Sequence, residues 1–288
     1  KGGSTDYDYV DKSGVNYVGY CWKAGGSSNT FNVDGKGYAS AAAAGLTAGS
    51  VTPTGASVGT TQGFSIIKWT APDPQDNSAT IPHGLTQKPN FWLVKSLDST
   101  ADWICYTEEI DGSLDFAHIN NTEIFNGSSA AVPTSTTFGV YGNDINTAGD
   151  DLIAYLWHDV PGVQKFGIYK ANNSTDGPYV DLGFKPALIC IKSATTTGSA
   201  RNWALVDSTR SYANVANHTL AWNLNTAESG FGGGESVFGA SNKIDLLSNG
   251  FKIRDTGNWC NESGATYIYM AWAESPFHNL YGGQANAR

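Results

Sequence analysis

Gly14-Val-Asn-Tyr-Val-Gly-Tyr-Cys-Trp22 is written again as Gly149-Asp-Asp-Leu-Ile-Ala-Tyr-Leu-Trp157 and once more as Gly264-Ala-Thr-Tyr-Ile-Tyr-Met-Ala-Trp272. In each copy Trp lies eight residues after Gly, and the copies sit 135 and 115 residues apart. Such self-similarity marks a repeated structural unit, here one that ends on an apolar strand. The first copy is therefore expected to close a unit whose beginning is missing. In Tyr267-Ile-Tyr-Met-Ala-Trp272 both alternating sets are apolar, which predicts a strand covered on both faces.

Four further anchors recur in the same order between the copies. Gly63-Phe-Ser-Ile-Ile-Lys-Trp69 corresponds to Lys165-Phe-Gly-Ile-Tyr-Lys170, and Lys88-Pro-Asn-Phe-Trp-Leu-Val-Lys-Ser96 to Lys185-Pro-Ala-Leu-Ile-Cys-Ile-Lys-Ser193. Asp102-Trp-Ile-Cys-Tyr106 matches Asn202-Trp-Ala-Leu-Val206, and Thr137-Phe-Gly-Val140 matches Gly250-Phe-Lys-Ile253. The order predicts one repeat over 63–162 and a second over 163–288, with 1–62 as the end of a truncated upstream repeat plus a linker. Lys1 and the linker-like Gly2-Gly3-Ser4-Thr5 fit the C-terminal part of a longer or processed protein. The alternative is a unit that lends its strand 14–22 to a neighbour.

Composition narrows the function classes. Only 15% of the 288 residues are charged, so Ser, Thr, Asn and Gly must cover the surface, while 12% aromatic content supports a core. The net charge of −9, with no Lys/Arg cluster, argues against a nucleic-acid surface, which needs a basic stripe to displace counterions. It equally disfavours attraction to anionic membranes. No apolar run approaches the roughly 18–20 residues of a membrane span, and export is left open. Cys21, Cys105, Cys190 and Cys260 form no CxxC and no disulfide framework, and are expected as reduced, buried thiols.

Short β-branched and aromatic runs punctuated by Gly, Asn, Pro and Asp predict an all-β chain. Residues 23–62 read as loop, with a helical turn or two at most over 38–46. Phe251-Lys-Ile-Arg254 alternates in and out like a half-exposed antiparallel strand. Helix-period stretches that could cover a parallel sheet are absent. The fold expected is tandem antiparallel β-sandwich repeats, jelly-roll-like, with long Gly/Ser/Thr/Asn-rich loops.

Chemistry is sparse. His83, His118, His158, His218 and His278 show no metal-ligand spacing; His83 reads as a turn residue and His158 as a solvated position. No Gly-x-Ser-x-Gly elbow is present. Carboxylates cluster at Glu108, Glu109 and Asp111 and around Asp144, Asp150 and Asp151. Two carboxylates about 5–10 Å apart across a cleft would suit glycoside hydrolysis, which makes a depolymerase the enzymatic rival; solvated loop charge is the plainer reading. Asp73, Asp76 and Asn77, or Asn172, Asn173 and Asp176, could offer oxygen ligands to Ca²⁺ without matching an EF-hand. Gly230-Phe-Gly-Gly-Gly-Glu235 lacks the Lys-Ser/Thr of a phosphate loop. Asn120, Asn126, Asn173, Asn217 and Asn261 head glycosylation sequons, which matter only in a glycosylating host. No catalytic, cofactor-binding or metal-binding residue is assigned, and no cofactor is expected.

Thr61-Gln-Gly-Phe-Ser-Ile-Ile67, Pro161-Gly-Val-Gln-Lys-Phe-Gly-Ile-Tyr169, Asp176-Gly-Pro-Tyr-Val-Asp-Leu-Gly-Phe-Lys-Pro186, Ile244-Asp-Leu-Leu-Ser-Asn-Gly-Phe-Lys-Ile-Arg254 and Ala265-Thr-Tyr-Ile-Tyr-Met-Ala-Trp-Ala-Glu-Ser-Pro-Phe277 carry a resemblance over nearly all of 14–288. So does the closing Ala285-Asn-Ala-Arg288. They resemble a repeat-containing family of bacteriophage virion proteins from aquatic phages, tail-fibre-like and of uncharacterised function. The resemblance implies a non-enzymatic structural protein on the virion surface, assembled in the host cytoplasm and contributing to host attachment. It implies a homo-oligomer, with a trimer favoured, contacts to other virion proteins and a host surface glycan or receptor as partner, and neither nucleic acid nor membrane insertion. Capsid decoration, glycan depolymerase and bacterial surface or filament protein are the alternatives.

Overall fold

The computed structural model describes residues 14, 16–72, 76–141, 145, 147–196, 201–211, 213–224, 228 and 243–274. Among them there is no helix. The strands are β1 (Phe31–Val33), β2 (Lys36–Tyr38), β3 (Gly55–Gly59), β4 (Phe64–Thr70), β5 (Thr80–Pro82), β6 (Phe91–Ser96), β7 (Ile104–Thr107), β8 (Asp115–His118), β9 (Asn126–Gly127), β10 (Thr137–Gly139) and β11 (Asp151–Trp157). They continue with β12 (Gln164–Lys170), β13 (Tyr179–Asp181), β14 (Pro186–Ser193), β15 (Ala204–Asp207), β16 (Thr219–Ala221), β17 (Ile244–Leu247), β18 (Gly250–Ile253) and β19 (Thr266–Ala273). The all-β sandwich expected from the sequence is the observed fold.

Two large sheets carry the same strand order. One runs β2-β1-β3-β4-β11-β6-β7-β8-β9, the other β12-β19-β14-β15-β16. The stretch β4-β11-β6-β7-β8 of the first therefore reads as the whole of the second. Smaller layers of β10-β5 and β13-β18-β17 lie over them. Trp69 and Trp92 pack edge-on against Phe138 of β10, at 5.6 and 6.3 Å, to build the first core. Tyr169, Phe251, Tyr267 and Tyr269 build the second between the five- and three-stranded sheets.

The two-faced apolarity of the closing strands now has its cause. Leu152, Ala154 and Leu156 of β11 face the first core, while Trp157 and the half-buried Tyr155 face a third core between the two large sheets. In β19, Tyr267, Tyr269 and Ala271 face the second core, and Ile268, Met270 and Trp272 the third. Each large apolar side chain so buried contributes about 1.5–3 kcal/mol, which favours stacking the sheets over exposing either face. β18 alternates as expected, with Phe251 and Ile253 buried and Lys252 half-buried.

Three sequence expectations need correction. The loop expected over 23–62 holds β1 to β3, and β3 pairs with β4, so these residues belong to the first large sheet. Short strands there are held by local hydrogen bonds, such as the Asn29 amide to Asn32 Oδ1 at 2.9 Å, rather than by apolar runs. β1 and β3 pair in parallel, an exception to the antiparallel rule. Within 38–46, where at most a helical turn or two was expected, residues 41–45 make a turn, with the Ala44 amide on the Ser40 carbonyl at 3.1 Å. The first closing-strand copy belongs to no strand: residues 16–24 carry no assigned secondary structure.

The anchors at β4 and β12 also differ by two residues in register. Phe64 lies opposite Trp157, whereas Phe166 lies opposite Met270, and Gln164 faces Trp272. A slip of two preserves which side chains face which core, so it leaves the layering intact.

Candidate functional site

The three tryptophans that end the three copies meet at one place. Trp22 lies 5.1 Å from Trp272 and 6.0 Å from Trp157, and Trp157 lies 6.3 Å from Trp272, all edge-on. Edge-to-face packing sets a positive ring edge on a negative ring face and adds about 0.5–1.5 kcal/mol per pair beyond burial. Phe64 stacks on Trp157 at 4.8 Å, and Phe166 sits edge-on to Trp272 at 5.9 Å and stacked over Phe91 at 6.3 Å. Among the described residues, the buried Nε1 of Trp157 and of Trp272 has no acceptor.

Polar bonds across the seam fix its register. Gln164 Nε2 donates to the carbonyls of Gly63 at 2.9 Å and His158 at 2.7 Å. Gly63 has φ +63, and a Cβ there would lie 2.4 Å from Val160 Cγ2, so the close approach requires glycine. Trp203 Nε1 donates to the His118 carbonyl at 3.2 Å, and the Phe125 amide donates to the Ala194 carbonyl at 3.3 Å. Lys192, fully buried, donates to the Thr122 carbonyl at 3.2 Å, and burial pulls its ammonium down to about 8.

Residues 16–24 lie along this seam. Tyr20, Trp22 and Ala24 are half-buried against the third core, while Gly19, Cys21 and Lys23 are exposed. Tyr20 donates its hydroxyl to Asp207 Oδ2 at 2.7 Å, and Arg210 Nε donates to the same oxygen at 2.5 Å. Burial raises the Asp207 carboxyl, but the Arg210 amide, the Tyr20 hydroxyl and the Arg210 charge together hold it below the usual range. Burial is also the main reason that the Tyr20 phenol is pushed well up.

Each sequence-named candidate has a place. His83 is fully buried just after β5; its Nδ1 accepts from the Leu85 amide at 2.9 Å, and burial pulls its pKa down to about 4. His158 was expected in solvent and is buried instead: its Nδ1 donates to the Asp159 carbonyl at 2.7 Å, and burial lowers its pKa. The residue follows Trp157 into the seam, which its position after the closing strand did not reveal. His118 sits 2.8 Å from Glu123, and His218 lies 3.1 Å from Glu228.

The carboxylates of the depolymerase reading are parcelled out. Glu108 pairs with Lys88 at 2.5 Å, and Asp111 accepts from the Ser113 amide and hydroxyl. Glu109 accepts from Asn90 Nδ2 at 2.7 Å, and burial raises its pKa, with a smaller push from Asp159. Asp159 is the neighbour that sequence reasoning missed. Its carboxyl is raised by burial and accepts from the Phe166 amide at 2.8 Å, while its own amide donates to Asn90 Oδ1 at 2.8 Å. Asp151 pairs with Lys68 at 2.7 Å, Asp150 lies 3.4 Å from Ser96 Oγ, and Asp144 lies outside the described residues.

The oxygen-rich loops are similarly occupied. Asp76 accepts from Ser78, and Asp73 lies outside the described residues, as do His278 and 230–235. Asn172 and Asn173 amides both bond Asn261 Oδ1, at 2.8 and 3.2 Å, and Asp176 pairs with Lys252 at 2.8 Å. Asn261 is fully buried, so it is not open as a glycan acceptor. Cys105, Cys190 and Cys260 are buried, with burial raising each thiol, but Cys21 is exposed, contrary to expectation. An open groove of about 230 Å³ between the 26–32 loop and the β3–β4 face is lined by Asn29, Asn32, Ser57, Ile66 and Lys68 among others, with no carboxylate.

The family model described as a domain of unknown function, DUF7483, matches residues 1–276. No curated protein and no solved structure matches the chain.

Proposed function

We propose that this chain, which belongs to the DUF7483 family, is a non-enzymatic structural protein of a phage virion, a tail-fibre or surface-fibre component contributing to host attachment. The observation that carries the structural half is the seam. Two sheets of like topology are bonded face to face through a buried aromatic core, which suits a load-transmitting module. Of the charged side chains that sequence reasoning singled out, Glu108, Asp151 and Asp176 are ion-paired and Asp76 and Asp111 cap turns, while Glu109 accepts from Asn90. That favours scaffold over catalyst, since an active site gathers such groups around a cleft. The virion setting is supported by the sequence resemblance and by a surface low in charge.

Gold-labelled antibody against the chain, imaged on intact virions, tests this reading. Label at the tail tip supports attachment; label spread over the capsid replaces it with decoration; no label on any particle rejects the virion assignment. The depolymerase alternative is tested by Glu109→Gln and Asp159→Asn. A glycan-degrading activity in the parent chain, lost in both variants, would reverse the non-enzymatic reading.

A further inference from the structure

We propose that the groove between the 26–32 loop and the β3–β4 face is a saccharide subsite, which takes one uncharged sugar ring of a longer chain. The inference rests on the attachment reading above and gives it a place and a ligand class.

Three observations converge. The first is the groove's place in the repeated frame. The order β4-β11-β6-β7-β8 recurs in the second sheet, but β1, β2 and β3 do not: that sheet starts at β12, the counterpart of β4. The groove lies where this addition meets the frame, on β3, β4 and the loop that leads into β1. The loop is fixed by bonds to β3 and within itself. The Ala56 amide donates to the Thr30 carbonyl at 3.0 Å, Ser57 Oγ to the Gly26 carbonyl at 2.8 Å and the Gly35 amide to the Gly25 carbonyl at 2.6 Å. Asn32, 3% exposed, accepts from the Asn29 amide at 2.9 Å and donates to the Asn29 and Ala56 carbonyls. A site held in this way has little freedom to lose when a ligand enters.

The second is the chemistry of the lining. Among the described residues it holds no carboxylate and one cation, Lys68, which is paired with Asp151 at 2.7 Å. With that charge neutralised, the groove fits an uncharged ligand. Asn29 Oδ1 accepts from the Thr30 amide at 2.8 Å, which leaves Nδ2 to donate outward. The hydroxyls of Ser27 and Thr30 make no bond among the described residues, and all three side chains are exposed. A hydroxyl donates and accepts at once, which matches the hydroxyls of a sugar. Ile66 and the methylene stem of Lys68 supply the apolar floor for the C–H face of a ring.

The third is the room. A groove of about 230 Å³ is below the roughly 300–1,000 Å³ of a site that takes a drug-sized ligand, which limits it to a single ring. Part of that room exists because position 55 carries no side chain. Gly55 pairs with Lys68, and a Cβ there would sit 3.6 Å from the Thr30 carbonyl oxygen and 3.8 Å from Lys68 Cβ, ordinary contact inside the groove. Its φ lies outside the left-handed region, so the backbone does not require glycine. A glycine inside a strand is a mark of close approach by a ligand. Past Ile66 the sugar chain would meet Tyr155, the register partner of Ile66, which stacks on Trp103 at 6.1 Å with both rings half-buried.

A glycan array decides the matter. Fluorophore-labelled chain 1–288 is laid on immobilised bacterial oligosaccharides, neutral and acidic, at about 0.15 M and about 1 M salt. The proposal expects neutral members to bind, with no loss at the higher salt, since no charge is shared across the contact. Gly55→Val fills the groove, and Asn29→Asp removes the Nδ2 donor while keeping the acceptor of the Thr30 amide. Each should weaken binding about tenfold or more. Asn29→Asp should leave the urea midpoint unchanged, so it decides even where Gly55→Val disturbs β3. Binding to acidic members alone, binding that survives Asn29→Asp, or no binding to any member overturns the proposal. Antibody label at the tail tip together with no sugar binding rejects the groove and leaves attachment standing. Sugar binding with no label on any particle rejects the virion reading and keeps the groove.

Discussion

Trp157 is where packing and hydrogen bonding pull in opposite directions, so it separates the two. Its side chain is 5% exposed, with Phe64, Trp22, Phe91 and Trp272 around it at 4.8 to 6.3 Å, yet its indole N–H has no acceptor among the described residues. Trp157→Ala removes the ring from a seam that cannot collapse between two sheets, and costs about 3–5 kcal/mol. Trp157→Phe keeps a ring and leaves a void of roughly 40 Å³, which at about 24 cal/mol per Å³ costs about 1 kcal/mol. It also relieves a buried donor whose lack of a partner costs about 1–3 kcal/mol. The Phe variant should therefore lie within about 1 kcal/mol of the parent or above it. Trp22→Ala, at a half-buried ring, should cost about half as much as Trp157→Ala, or about 2 kcal/mol. Urea unfolding followed by far-UV circular dichroism reads all three without depending on tryptophan emission. A Phe variant as unstable as the Ala variant would refute the orphaned-donor reasoning. A Trp22→Ala cost equal to that of Trp157→Ala would refute the half-packed status of the first copy.

Three more outcomes can be checked on the same chain. His83 has its pKa depressed from 6.5 to about 4 by burial, so its contribution is complete above pH 6.5 and is lost as pH falls toward 4; that amounts to about 3 kcal/mol. His83→Gln should flatten the part of the urea midpoint's pH dependence between those values, and an unchanged slope would contradict it. Lys192 is fully buried with its pKa lowered to about 8, so the folded state gains stability as pH rises from about 8 toward 10.5. Lys192→Met should abolish that rise and stabilise the chain at pH 7 by about 1 kcal/mol or more, as replacing buried charge often does; calorimetry showing a lower melting temperature would count against it. Gly63→Ala forces a Cβ at φ +63 to within 2.4 Å of Val160, and should cost well over 1 kcal/mol in the same titration.

The central strands were legible because their information is local. A strand apolar on both faces must be covered twice, and β11 and β19 show this in their own residues. What lies over each face is not local. Cys21 and Leu156 occupy matching places in matching strings, yet one is exposed and the other fully buried, because burial depends on a second sheet distant in sequence. His158 was misplaced for the same reason, since its cover comes from the 86–87 loop and the seam. The nearness of Glu109 to Asp159 was hidden by their distance in sequence, and Asn90, bonded to both, brings them together.

By itself, then, the sequence determined the all-β class, the recurrence of the closing strand and which of its positions are apolar, since each follows from side-chain period and turn chemistry. Only the tertiary structure decided that the sheets stack on each other, that three tryptophans 115 and 135 residues apart share one core, and that Gly19 and Cys21 of the first copy are exposed. The physical reason is that hydrophobic burial is non-directional: it demands that an apolar face be covered, and leaves to the geometry of the whole chain what covers it.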